Sequence, residues 1–502
     1  MKTKYILLLS SLLAFSSCSD DLLYQDPATS TTDENVVSNA ETVKAALMGA
    51  YSWTGHFHYL TIGQISLDVM GDDLKMTNGN YRYSTYNWLM YAYDYRQYPR
   101  EVDGWWSAYS PYMWVKAYNA IDQCNIIISN ADRLPEGCED YLAQAHGLRA
   151  WNFLNLYHLY CASYTYAGDS GQGLFLRLNP GEASGNDVPR SDLGTSLKQI
   201  ISDLEYAYEH GTNTSNYFIN PKAAALLLAR TYLDMGDYDN ARKYAEAVGS
   251  SFDGSDLMSQ EEYQSGFNTV NNEWLWGFNF TSETSNIYAS IPSFYYIAEA
   301  KDAESTFGTS GYGTQASYDY LVNNAVNYLV GYGTVRATQS FVDLFGTDDC
   351  RKLFPFYIDE RDGYAIAKFS SKGSLGIADY PLCRIAEAYL IEAECLLKGS
   401  NADPARGLQI LNALQEKRGG TLSTQLTSDE IWKERRRELY GEGFALPDIK
   451  RLQKPLERVG EEHWTEVKSL PANSPRMMFP IPADELDYNK NASEADQNEY
   501  WR

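Results

Sequence analysis

The chain has 502 residues, 66 of them acidic and 41 basic, for a formal net charge of −25. That surplus repels a phosphate backbone, whose binding depends on lysine and arginine, so nucleic acid is a poor partner. A hydrophobic fraction of 44% over this length fills a sizeable core and argues against disorder. The first segment in chain order is an address rather than part of a fold. Lys2 and Lys4 precede an apolar stretch from Tyr5 to Phe15, shorter than the roughly 20 residues of a spanning helix, and it reads as an export signal.

Ser16-Ser17-Cys18-Ser19-Asp20-Asp21 follows. A cysteine directly after two small residues resembles the bacterial lipoprotein processing site, with Phe15 where that pattern usually has leucine. The resemblance implies that residues 1–17 are removed and that Cys18 is acylated as the new N-terminus; an ordinary cleaved signal is the alternative. Ser19-Asp20-Asp21 resembles the acidic tag that sends lipoproteins of the Bacteroidetes to the outer face of the outer membrane. Residues 18–35 are then a lipidated start and a polar tether, followed by a single globular unit over 36–502.

That unit reads as mostly α, with a helical scaffold over about 36–248 and 376–450. Trp106 to Ala131, Tyr141 to Tyr160 and Ser191 to His210 carry apolar residues at three- and four-residue intervals, the pattern of amphipathic helices. Asn220-Pro221 marks a helix start with an N-cap and a proline at the first position, and the pattern runs to about Val248. Within it Leu228, Ala229, Tyr232, Gly236, Tyr238 and Ala241 fall at the spacings of a tetratricopeptide unit, with Met235-Gly236-Asp237 as the turn. One such hairpin cannot bury its own apolar face, so others must stack on it.

From about 250 to 375 the character changes to glycine, serine, asparagine and tyrosine with little helical period, a loop-rich insertion with short β-strands. Arg361-Asp362-Gly363 between Phe356-Tyr357-Ile358 and Tyr364-Ala365-Ile366 marks a hairpin. A second loop-rich zone spans Thr54 to Gly104. Helical pattern resumes at Tyr380-Pro381, with Leu382, Ile385, Ala386, Tyr389, Ala393, Leu396 and Leu397 on one stripe. Asp403-Pro404 starts its partner helix, which Gly419-Gly420 ends, and Thr427-Ser428-Asp429-Glu430 is a capping box for the next helix.

Six cysteines remain after Cys18, and most are expected to be unpaired. Cys383 and Cys395 lie twelve positions apart in one helical pattern, about 18 Å along an axis, against a bridging limit of ~7 Å between alpha carbons. There is no Cys-x-x-Cys pair and the six histidines are scattered, so no metal or cofactor is expected. Asp72-Asp73 and Asp348-Asp349 read as solvated turns, since no calcium-loop spacing accompanies them.

Taken together, Cys18 with its acidic follower, the tetratricopeptide-like helices, the run from Tyr380 to Glu394, and Glu434-Arg435-Arg436-Arg437-Glu438-Leu439 resemble the SusD/RagB-like glycan-binding lipoproteins of Bacteroidetes nutrient uptake. Gly441-Glu442-Gly443 with Asp448-Ile449-Lys450-Arg451, and Phe479-Pro480-Ile481-Pro482 with Glu485-Leu486, extend the likeness over the whole chain. Ala445-Leu446 departs from it, standing where many members have arginine followed by an aromatic. The resemblance implies a cell-surface outer-membrane lipoprotein, palmitoylated at Cys18, that captures oligosaccharide or polysaccharide and delivers it to a TonB-dependent SusC-like transporter. It also implies that Arg384, Glu387, Glu394, Arg436 and Glu438 serve the fold, which agrees with buried arginine–carboxylate pairs satisfying one another more often than they do chemistry.

Glycan binding has an independent warrant in 41 tyrosines, 11 tryptophans and 18 phenylalanines. Sugar rings stack their CH faces on flat aromatic surfaces while their hydroxyls seek amide, carboxylate and guanidinium groups. Tyr81, Arg82, Tyr83, Asn87 and Trp88, preceded by Asp72 and Asp73, fit best, with Tyr288, Tyr295 and Tyr296 second and Trp274 with Trp276 third. Alternating Trp274 and Trp276 are also what a half-buried core strand shows, and the core is the expectation for that pair. A helical-repeat adaptor that binds protein through a concave face, without its own glycan site, is the first alternative. A lipid-anchored glycoside hydrolase is the second: two carboxylates suffice for that chemistry, but no catalytic motif marks a pair, so no catalytic residue is assigned.

Overall fold

The computed structural model describes residues 33–77, 85–94, 109–182, 188–286, 289–295, 333–355, 357–358, 363–372, 376–459 and 463–502. Cys18, Tyr81, Arg82, Tyr83, Tyr288 and Tyr296 lie outside these ranges. The described residues are mostly helical, with short strands. The principal helices are α1 (Ala40–Thr54), α2 (Leu60–Val69), α3 (Thr85–Tyr91), α4 (Tyr109–Ser129), α5 (Glu139–Tyr160), α6 (Leu193–His210), α7 (Pro221–Met235), α8 (Tyr238–Ala247), α9 (Ile385–Lys398), α10 (Pro404–Lys417), α11 (Ser428–Leu439) and α12 (Ala445–Arg451).

Local chemistry sets the ends of these helices. Asn220 accepts from the Ala223 N–H at 3.0 Å with Pro221 as the first helical residue, and α7 ends on Gly236 at φ +74°, a left-handed turn that suits glycine. Asp237 then accepts from Asn240 N–H and opens α8 one residue later. Asp403 and Thr427 cap α10 and α11 in the same way, through the N–H groups of Arg406 and Glu430.

The helices stack in chain order, as tetratricopeptide-like hairpins do. α1 packs on α4, α4 on α5, α5 on α6, α6 on α7, and α7 on α8. α8 then packs on α9, and α9 on α10 and α11, so the stack passes directly from residue 247 to residue 385. Ion pairs fasten that junction: the Arg230 guanidinium meets Glu387 with two contacts of 2.7 Å, and Arg242 donates to Glu392 at 3.0 Å. The long segment between them leaves the stack and returns to it.

One boundary differs from the sequence expectation. Tyr380–Arg384 is a strand, and the helix starts only at Ile385. Numbered in chain order, the strands of this part are β1 (Leu74–Met76), β2 (Trp274–Phe278), β3 (Val335–Ala337), β4 (Tyr357–Ile358), β5 (Gly363–Tyr364) and β6 (Tyr380–Arg384). β6 pairs antiparallel with β2, setting Tyr380 opposite Phe278 and Pro381 opposite Gly277. The apolar spacing that imitates a helix start arises because β6 is buried on both faces, where alternation is lost. Gly277 is required there, because a Cβ would sit 2.7 Å from the Trp274 ring. Trp274 and Trp276 are fully buried, as the core expectation for that pair holds. β1, β3, β5 and β4 form an antiparallel sheet in that order, and β4–β5 is the hairpin expected around Gly363. All six cysteines among the described residues are buried free thiols; Cys383 sits on β6 rather than in one helix with Cys395.

The centre of the returning segment is a buried ionic cluster. Glu438 on α11 accepts from three guanidiniums: Arg384 at 3.0 Å, Arg418 at 3.0 Å and Arg351 at 3.1 Å. Arg384 also holds Glu442 through two contacts of 2.8 and 2.7 Å, and Arg418 holds Glu273 at 2.8 Å. Lys368 donates to Glu442 at 2.7 Å and to the carbonyls of Glu438 and Tyr440. Asp349 and Glu434 complete the set around Arg351, with Arg437 on the outer side of Glu434. Burial pushes the Glu438 carboxyl up, but Arg418, Arg384 and Arg351 overcome it and hold the group well below the usual carboxylate range.

Removing one partner strands buried charge, so Glu438→Gln is expected to destabilise the protein by about 3–5 kcal/mol in urea unfolding. The sign of the pH dependence follows from the depressed carboxyl. Its contribution is complete above the unfolded value near about 4.3 and is lost as pH falls below it, so the variant's stability will decline less between about pH 5 and 2.

Candidate ligand-binding face

The face is built outward from β1. Asp73, just before it, accepts from Arg436 of α11, with Nε to Oδ2 at 2.8 Å and a second contact from Nη2 to Oδ1, and its carbonyl takes the Thr338 N–H at 3.0 Å. Just past its far end, the Thr77 N–H donates to the Thr334 carbonyl at 2.8 Å. Asn87 is fully buried, and its amide nitrogen donates to the Ile62 carbonyl and Ser66 Oγ, both at 3.0 Å, fixing α3 against α2.

With α3 so fixed, Trp88 meets Trp464 in a parallel stack, ring centroids 4.8 Å apart at 19°. Trp464 Nε1 donates to the Met76 carbonyl at 2.6 Å, which ties the stack to the end of β1. Tyr91 lies 5.2 Å from Trp464 on the same helix turn as Trp88, and its hydroxyl meets His463 Nδ1 at 2.7 Å. Burial lowers the His463 pKa to about 3, so the ring is neutral in the folded protein. Arg458 lies 4.3 Å over the Tyr91 ring and donates to the carbonyls of Val69, Gly71 and Tyr91. Both indoles of the stack are only partly buried, and the Trp88 Nε1 donor has no partner among the described residues.

Polar groups frame this platform. The Asp72 side chain is 30% exposed and lies 4.0 Å from Arg436; burial and the neighbouring Asp73 raise its pKa to about 6. Trp432 stands beside it with the Arg436 guanidinium 5.6 Å over its ring. A short strand of about 10 Å thus carries a carboxylate–guanidinium pair at one end and stacked indoles at the other, the mix that a sugar's hydroxyls and CH faces require.

The structure therefore brings together Asp72, Asp73, Asn87 and Trp88 of the residues singled out from sequence. Asp73 spends its carboxylate on the fold and Asn87 its amide nitrogen, while Asn87 Oδ1 is buried with no partner among the described residues. Tyr295 is fully buried beside Phe369, at 5.0 Å between rings, and presents no face to a ligand. Trp464 was not legible as a site residue; its only signal is an aromatic pair with His463 inside the acidic run from Glu461 to Glu466. No group of three or more metal-ligating side chains occurs among the described residues.

Two family profiles match the chain: the SusD family over residues 358–501, and a family described as starch-binding and associating with the outer membrane over residues 26–233. A SusD-like protein of Bacteroides ovatus is 23% identical over 87% of this chain and 80% of its own length. The chain is SusD/RagB-like. Among solved structures, a sugar-binding protein of Bacteroides vulgatus superposes with a TM-score of 0.74 at 22% identity, covering 92% of this chain and 99% of that one. A laminarin-binding SusD-like protein superposes at 0.68 and 19% identity, with 92% and 99% covered. At these identities the likeness is one of fold: helical hairpins with a loop-rich insertion are the SusD architecture.

If the indole pair is a real packing unit, Trp88→Ala, Trp464→Ala and the double substitution will not add in stability. A coupling of about 0.5–1.5 kcal/mol is expected from the double-mutant cycle by urea unfolding, and strict additivity would contradict the stack.

Proposed function

We propose that this SusD-like protein is a cell-surface glycan-capture lipoprotein that holds oligosaccharide or polysaccharide and delivers it to a TonB-dependent SusC-like transporter in the outer membrane. The observation that carries the reading is the Trp88–Trp464 platform beside Asp72 and Arg436, on a chain of a glycan-binding family. Stacked indoles give a ligand rigid apolar contact at small entropic cost, and the flanking charges supply acceptors and donors. The laminarin-binding relative is consistent with it. Tyr81, Arg82 and Tyr83, in the segment that follows β1, and Tyr288 and Tyr296 belong to the proposed ligand set by sequence position. The division into a tether over 18–35 and one unit over 36–502 is part of the same proposal, as is acylation of Cys18, which holds the protein on the outer face.

The protein binds and does not cut. The carboxylates at the face are engaged by Arg436 rather than set opposite one another as an acid and a nucleophile. The delivery step asks for a protein surface as well, so the adaptor reading differs only in denying the glycan site.

A glycan panel on the mature protein, with released reducing ends assayed in the same samples, tests this. Binding is expected without release of reducing ends, and Trp464→Ala is expected to weaken it at least tenfold while the fold survives. Binding that is indifferent to both Trp464→Ala and Trp88→Ala would remove the proposed face, and release of reducing ends would establish a hydrolase.

A further inference from the structure

Away from this face lies a cavity of about 200 Å³ that shares no lining residue with it. Its wall comes from parts of the chain far apart in sequence: Tyr166, Gln172, Lys450, Asn473, Asn498 and Glu499. The volume lies below the roughly 300–1,000 Å³ of drug-sized pockets and accommodates one ring-sized ligand.

The polar wall is rigid, and its hydrogen bonding is unevenly spent. Lys450 Nζ donates to the carbonyls of His158 and Cys161 at 2.7 and 2.6 Å, which leaves the third ammonium hydrogen unspent. Asn498 Nδ2 is held by the carbonyls of Tyr160 and Phe479, and Gln172 Nε2 by that of Ala495. Each of these amides is fixed by its nitrogen and keeps its oxygen for something else. Asn473 shows this most sharply. Its Nδ2 donates to Gln453, while its Oδ1 is buried without any partner, on a backbone at φ +61°. A buried amide oxygen without a donor is costly to leave, whereas the left-handed backbone is one that asparagine adopts readily. At the rim the Tyr166 ring is 59% exposed, a flat apolar surface with nothing stacked on it.

We propose that this cavity is a second ligand site, taking a single neutral sugar ring, with Tyr166 stacking on its CH face, Glu499 and the amide oxygens of Gln172 and Asn498 accepting from its hydroxyls, and Lys450 donating to one of its oxygens. The ligand class rests on the glycan reading above; the site itself rests on its own wall. Amide oxygens and Glu499 offer acceptors to hydroxyl hydrogens while Lys450 and Arg502 offer donors to hydroxyl oxygens, a mixed wall that suits the hydroxyls of a sugar and gives little to a purely apolar ligand. A site for one ring, apart from the aromatic face, would let the protein hold a long glycan at two points, which raises avidity without new contacts at either.

Met477 and Met478 line the same cavity and report on it. In mature protein with carbon-13-labelled methionine methyls, D-glucose, D-galactose or D-mannose is expected to shift the Met477 and Met478 resonances saturably. Tyr166→Ala and Glu499→Ala are each expected to raise the half-saturation concentration about tenfold. Tyr166 and Glu499 are both exposed side chains, so both variants should fold. The proposal is overturned if none of the three hexoses shifts these methyls, if only sodium glucuronate does, or if the shifts survive either substitution unweakened. Failure of the aromatic face alone reads differently: tryptophan fluorescence then stays silent while the methionine methyls still respond.

Discussion

Glu438 is the point on which the architecture turns. A helical stack can be built from local signals, but the described residues between α8 and α9 are mostly loops and short strands, fixed by apolar contacts with the core and by buried charge together. Charge is carried inward: Glu273, Arg351, Lys368 and Arg384 come from that segment, Arg418, Glu438 and Glu442 from the scaffold side, and they meet as a hydrogen-bonded set. Such a cluster adds little net stability over well-packed apolar residues, since desolvation offsets the attraction. Its value is register, because a guanidinium that must meet particular carboxylates has few alternative positions.

That register sets the ligand face. α11 contributes Glu438 to the cluster and Arg436 to Asp73, so the helix that anchors the interior also anchors β1. β1 in turn positions Trp464 through the Met76 carbonyl, and Trp464 positions Trp88. The chain from buried charge to half-buried aromatic is short and passes through hydrogen bonds of defined direction, which is what a preorganised binding surface needs. Near its centre, Asp68 accepts from the backbone N–H groups of Gly443 and Ala445, and burial raises its pKa to about 7. Ala445 packs its methyl against Gly71, where a Cβ on the glycine would sit 2.9 Å from it.

How far the sequence carried can be judged from particular residues. Asn220, Gly236, Asp237, Asp403 and Thr427 act within one turn of themselves, and their roles were legible. The structural reading of Arg384, Glu387, Glu394, Arg436 and Glu438 matches their pairings. Each now pairs with a carboxylate or guanidinium from elsewhere in the chain. The start of α9 was misread because β6 is buried on both faces, so its apolar residues do not alternate. The role of Asn87 in packing is not legible locally, because a polar side chain in an aromatic stretch looks the same in sequence whether it faces solvent or bonds to the middle of a neighbouring helix. Trp464 escaped notice because its partner, Trp88, lies hundreds of residues away, and no local period encodes such a contact.

The central claim, that glycan is held at the junction of β1, α3 and Trp464, is tested most directly by amide hydrogen exchange on the mature protein with and without a bound glycan. Slowed exchange concentrated in residues 72–77, 87–93 and 463–467, with the α5–α8 stack unchanged, is the predicted result. Protection confined to the helical stack, with those three segments unaffected, would contradict it.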